Sequence, residues 1–182
     1  MVKGHLIARA DKFYHAEQNS TFFYLNVLPM WQSINNGNWK IVENAVRRTA
    51  GSLGDLEVWT GGLDVLKLSG REIFLAVDQK TNKRVMPTPN LLFKLVYSKP
   101  NHEAIVFITI NNPYIKSSEL DETNLICKNE FDRCKNNAKF KDLVKGYTYC
   151  CLYEDFIKHP LVSKIGIPNH FKNLKPLEKI QL

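Results

Sequence analysis

Residues 21–47, TFFYLNVLPMWQSINNGNWKIVENAVR, change period in mid-run, and that change decides the fold class. Residues 21–28 are aromatic and β-branched, the composition of a strand, and Pro29 closes it. From Ile34 onward the pattern is helical. Trp39, Val42, Val46 and Ala50 recur one turn apart, Asn and Gly residues lead in, and Gly51 is a natural stop. Working outward, strands are predicted at 56–59, running into Thr60-Gly61-Gly62, and at 72–77, 91–97, 104–110 and 147–153. A polar helix is predicted over about 119–134, and a short one from Asp155, cut at Pro160. The last stretch, about 168–182, has little pattern and is expected to be loop or tail. With no repeat and no linker, the expectation is one α+β domain over 1–182 with mostly antiparallel strands.

Composition narrows the function. The chain has 182 residues and 44% hydrophobic content, enough for a real core. Its 25 Lys+Arg against 18 Asp+Glu give a formal charge of +7, which favours a polyanionic partner such as DNA or RNA. No apolar run has transmembrane length, so no membrane partner is expected, and the opening residues do not form a signal peptide. Oligomeric state is not legible. Four cysteines, Cys127, Cys134, Cys150 and Cys151, cluster in the last third. An even, local cluster points to disulfides and an oxidising compartment. Adjacent Cys150 and Cys151 do not pair with each other, which leaves two pairings open. A zinc site lacks the usual spacing, and free buried thiols are the remaining alternative.

Two stretches carry chemistry together. One is Lys3-Gly4-His5-Leu6. The other is Asn26-Val27-Leu28-Pro29 with Asn35, Trp39, Glu43 and Arg47 beyond it. The last four are spaced by four. A helix turns about 100° per residue, so each step drifts only about 40° and the four form one winding stripe. A histidine, an amide, a carboxylate and an arginine suit metal-assisted phosphodiester cleavage. His5 would take a proton from water at neutral pH. Asn35 would anchor a magnesium ion that keeps most of its waters. Glu43 would accept hydrogen bonds from those waters, and Arg47 would hold phosphate oxygens. Singly, each has a plainer reading: His5 as a surface or core histidine, Asn35 as a turn or N-cap residue, Glu43 and Arg47 as a surface ion pair.

The run GHL…QNSTFFYLNVLPMWQSINNGNWKIVENAVR resembles the DNA/RNA non-specific endonucleases of the ββα-metal (His-Me finger) type, which include endonuclease G. Their signature is Asp-Arg-Gly-His, then Asn-x-x-Pro-Gln, then Asn-x-x-x-Trp-x-x-x-Glu. Downstream, VWTGGL, MPTPNLLFKLVY and ITINNP resemble later strands of the family in the same order, and KGYTYCCLYEDF resembles the secreted arthropod branch that degrades double-stranded nucleic acid. The resemblance implies a ββα-metal core on a mostly antiparallel sheet and a magnesium cofactor, with manganese as substitute. It implies His5 as base, Asn35 as metal ligand, Glu43 as the residue ordering the metal's waters, and Arg47 on phosphate. It also implies Asn26 as a residue steadying the site, and Lys3 on phosphate where the family has Arg. Val2 stands in place of the family's Asp, removing an orienting partner, and Met30 in place of its Gln, removing a polar side chain from beside the site. Part of the family domain precedes the Gly-His motif, so the domain is expected to be incomplete at its N-terminus. A competing expectation is an inactive nucleic-acid-binding fragment.

Overall fold

The structure is a computed structural model that describes residues 1–127, 130–167, 171 and 173–182. The chain enters as β1 (Val2–His5), crosses a loop holding α1 (His15–Ser20), and returns as β2 (Val27–Met30), antiparallel to β1. A short turn α2 (Gln32–Ile34) and an irregular segment (Asn35–Trp39) lead into α3 (Lys40–Leu53). β3 (Glu57–Val65) follows, then two small hairpins, β4 (Lys67–Leu68) with β5 (Arg71–Glu72) and β6 (Phe74–Asp78) with β7 (Lys83–Pro87). The long strands β8 (Pro89–Ser98) and β9 (Glu103–Ile110) form the centre. After them come α4 (Asp132–Lys135), β10 (Thr148–Cys151), α5 (Tyr153–Ile157) and β11 (Lys175–Pro176).

The main sheet runs β10-β9-β8-β3 and is antiparallel, while β11 joins β9 in parallel. Both faces are covered. Leu91, Phe93, Leu95 and Tyr97 point into a core shared with Ile126, Tyr153, Phe156 and Val162. Val96, Ile105 and Phe107 point the other way, against Val42 of α3, Phe140 and Leu177, while Leu92 meets Met30, Ile34 and Trp39. Strand alternation also settles the cysteines. Cys150 and Cys151 are neighbours in β10, so they face opposite sides of the sheet. Cys151 bonds Cys127 on one side and Cys134 bonds Cys150 on the other.

The α+β architecture is as expected, with four local corrections. Residues 21–26 are turns rather than strand, because Thr21, Phe22 and Phe23 donate their N–H groups to Gln18, Asn19 and Ser20. Pro29 lies inside β2, where its carbonyl accepts from the Asn111 side chain at 3.0 Å. The polar helix over 119–134 does not form. Asp121 and Glu119 hold local turns there, and only Asp132–Lys135 is helical, with Lys128 and Asn129 outside the described residues. The C-terminal stretch is not a loose tail. Lys175–Pro176 pairs with β9, Leu177 and Ile180 are fully buried, and the Gln181 N–H donates to Thr49 Oγ1 at 3.0 Å; residues 168–170 and 172 lie outside the described residues. Among the described residues no helix is long and apolar enough to cross a membrane.

Candidate active site

His5 is the last residue of β1 and sits opposite Val27. Alternate strand residues take opposite faces, so Lys3 and His5 share one face and Val2 and Gly4 the other. The second face looks inward. Gly4 is buried, and a Cβ there would collide with the Met30 side chain. Val2 and Met30, the two departures from the family pattern, are cross-strand partners. An apolar pair therefore occupies both positions at once. Met30 is fully buried with Ile34, Trp39 and Leu92, on the face away from His5, so the expected loss beside the site is a change in core packing instead.

The His5 ring meets Phe22 edge-on, centroids 4.8 Å apart, and its buried Nε2 has no hydrogen-bond partner among the described residues. Burial lowers its pKa below the usual 6.5, which favours a neutral ring. Asn26 holds the chain that follows His5 and the turn before Phe22. Its Oδ1 accepts from the Ile7 N–H at 3.0 Å, and its Nδ2 donates to the carbonyls of Ile7 (3.0 Å) and Thr21 (2.9 Å). Its backbone carbonyl also accepts from the Leu6 N–H. The Asn26 amide is thus occupied by main chain around His5, which is a positioning arrangement.

Asn35 is half-buried, and its N–H donates to the Trp31 carbonyl one turn beyond β2. Its side chain makes no hydrogen bond to the described residues, so its oxygen is available. The single stripe predicted from Asn35 to Arg47 is broken. At Gly37 ψ turns to −123°, outside the helical region, and α3 begins only at Lys40. A Cβ on Gly37 would come within 2.6 Å of the Lys145 carbonyl. Asn38 pins that break, donating its N–H to Lys145 (2.9 Å) and its Nδ2 to Gly146 (2.7 Å).

Glu43 and Arg47 lie on α3, both half-buried. Arg47 donates from Nε (3.0 Å) and Nη2 (2.8 Å) to Asp11 Oδ1 and from Nη1 to Asn44 Oδ1 (2.8 Å). Burial raises the Glu43 carboxyl above its usual pKa; Lys94 opposes this most, ahead of Arg47 and Lys40, while Asp11 adds to the rise. Leu6, Ile7, Asp11, Glu43, Thr60 and Lys94 line a cavity of about 90 Å³. The chain leaving His5 therefore meets α3 and the sheet at one charged spot. Lys3 is exposed, with its ammonium 4.2 Å from the centre of the Tyr24 ring.

Sequence reasoning missed three contributors. Lys94 is 3% exposed on β8. Its sequence signal was available, since it is the lone charge in the apolar run LLFKLVY. Asn111 joins β2 to the sheet, donating to the carbonyls of Pro29 (3.0 Å) and Pro89 (2.9 Å). Asp11 carries no signal that would set it apart from other surface acids. Among the described residues no three His, Cys, Asp or Glu side chains gather around a common point. The fit is to a hydrated cation with few protein ligands, for which the unbonded Asn35 amide and the Glu43 carboxylate have the right oxygen chemistry.

Known proteins share this pattern. A salivary endonuclease of Lutzomyia longipalpis is 34% identical over 183 residues, covering 98% of this chain and 42% of its own. The salivary protein Tsal1 of Glossina morsitans morsitans is 34% identical over 178 residues (93% and 43%), and a salivary endonuclease of Culex quinquefasciatus is 26% identical over 174 (90% and 45%). The chain thus spans less than half the length of these curated relatives. The sequence pattern of the DNA/RNA non-specific endonucleases matches residues 1–156, and the chain belongs to that family.

Proposed function

We propose that this chain carries the catalytic centre of a metal-dependent endonuclease that hydrolyses phosphodiester bonds of DNA, RNA or both, in duplex form. The observation that carries the reading is His5, a histidine disposed to be neutral whose buried Nε2 has no partner among the described residues. Buried polar atoms without partners are uncommon, and a catalytic role is one of the few explanations for them.

His5, disposed to be neutral, takes the proton of the attacking water. Asn26 keeps the main chain around the ring in place. A bound magnesium ion, or manganese in its place, would stabilise charge on the phosphate and on the leaving oxygen. Asn35 would hold it directly, and Glu43 would hold it through its waters. A guanidinium has five N–H donors; Asp11 and Asn44 engage three on Arg47, which leaves two for phosphate oxygens. Lys3 adds an exposed ammonium. With a net charge of +7, binding should weaken steeply with salt. Two disulfides and the salivary relatives support an extracellular setting.

A plasmid-nicking assay with magnesium, beside a chelated control, tests the reading. Cleavage should need the metal, and His5→Ala should lose about 10²- to 10⁴-fold. A His5→Ala protein that cuts as fast as the parent removes His5 as the base. Binding without cleavage in either condition selects an inactive nucleic-acid-binding module.

A further inference from the structure

Lys94 has a surrounding built for a cation. Its Nζ donates to Thr60 Oγ1 at 2.8 Å and to the Leu6 carbonyl at 3.2 Å, and it lies 5.2 Å from the centre of the Trp39 ring. Leu6 directly follows His5. An ammonium has three donors, so one remains beyond these two contacts. Lys94 and Glu43 form no direct ion pair among the described residues, but both line the cavity of about 90 Å³, which has room for bridging water.

We propose that Lys94 is a positioning residue of the cleavage site: its buried ammonium ties the main chain next to His5 to the central sheet and is the counter-charge to Glu43. Desolvating an ammonium is costly, and a neutral side chain of similar length would fill the same space without that penalty. The charge has a use only if it acts on another charge. Two acids line the cavity with Lys94, and Asp11 is already held by Arg47, which leaves Glu43; among the cations that lower its pKa, Lys94 comes first. Burial pushes Lys94 itself down to about 8, with Glu43 and Asp11 opposing, so it keeps most of its charge at neutral pH. The carboxylate, which only accepts hydrogen bonds, is the form of Glu43 suited to a metal's waters.

The inference rests on the nuclease reading for its kinetic arm alone, and a second arm needs no activity. The Glu43 carboxyl is titrated by carbon NMR in the metal-free protein, with and without Lys94→Met. Its pKa should move up when the ammonium is gone; an unchanged or lower value overturns the proposal. In the nicking assay kcat should fall about 10- to 100-fold, the range for supporting residues around a metal site, with KM nearly unchanged. An unchanged kcat, with any effect confined to KM, also overturns it. Should Lys94→Met fail to fold, Lys94→Gln, which keeps a donor and drops the charge, is held to the same two criteria. A parent chain that cuts nothing counts against the nuclease reading, while the Glu43 titration still decides the role of Lys94.

Discussion

Strand β8 has two faces of equal burial and different content. Leu91, Phe93, Leu95 and Tyr97 meet an almost wholly apolar layer closed by Phe156 and Val162 and braced by the Cys127–Cys151 bridge. Leu92, Lys94 and Val96, between them, meet β2, Trp39 and α3, and Lys94 there and Ser98 at the strand end are polar and buried. The hydrophobic effect is indifferent to which face it fills. Buried polar groups are tolerated only where partners exist for them, and the partners lie on the side that carries His5 and Glu43. One face is filled by apolar packing, and the other holds buried polar groups beside the candidate site.

The largest way to break that division is Phe93→Ala. Phe93 is 4% exposed, with its ring 5.4 Å from Phe156. Truncation should destabilise by about 3–5 kcal/mol, read by denaturant unfolding, while kcat per folded molecule stays at the parent value. A loss of kcat without loss of stability would show that the apolar face also shapes the site. Next in size are the bridges, one on each face. Replacing both Cys134 and Cys150 by Ser opens a bridge of sequence separation 16 and should remove about 3 kcal/mol. The Cys127–Cys151 pair closes a longer separation of 24 and should lose slightly more. Reversal of that order would mean that packing around each bridge, rather than loop length, sets its value.

Much of this was legible because it is periodic. β8, β9 and α3 are runs whose alternation or helical spacing survives in the structure, shifted by a few residues at their ends. The roles proposed for His5, Asn35, Glu43 and Arg47 come from residue chemistry and resemblance, and the structure adds their surroundings. Non-local partners were not legible. Residues 21–28 have strand composition, yet β1 offers only four residues to pair with, and Asn26 closes a turn in place of extending the ladder. Leu177 and Ile180 look patternless in a short polar stretch and are buried only because β9 leaves an edge for β11. The break at Gly37 depends on residues 145 and 146, more than a hundred positions away, which local spacing cannot report.

Two histidines sharpen the comparison. His5 lies on the site side, and His159 follows α5, its Nδ1 accepting from the Leu161 N–H at 3.3 Å; burial lowers both. The cleavage rate at limiting substrate needs His5 neutral, so it should fall about tenfold per pH unit below a midpoint under 6.5. Stability responds with the same sign for a different reason. An unfolded histidine takes its proton near pH 6.5 and the folded one only below that, so folding weakens as pH falls through the window between. His159→Gln should flatten the stability slope and leave the rate profile where it was. A rate midpoint that moves with His159→Gln would show that the two histidines are coupled.

The smallest expected effect concerns Asp11, the acid that holds Arg47. The two side chains are 37% and 40% exposed for Arg47 and Asp11, and such pairs contribute about 1 kcal/mol or less to stability. Asp11→Asn keeps a side-chain oxygen for the guanidinium but removes a negative charge from the place where phosphate should arrive. Two outcomes compete. If Asp11 restrains Arg47, KM for nucleic acid should fall, by at most about fivefold since 1 kcal/mol sets that ceiling, and the gain should vanish as added salt screens the field. If Asp11 instead presents the two free N–H groups, KM should rise and kcat should fall with it. The first outcome is the expected one, because Asn44 alone still holds Nη1 and an Asn at position 11 can still accept from Nε. Geometry would then survive the substitution, and charge would be the only thing changed.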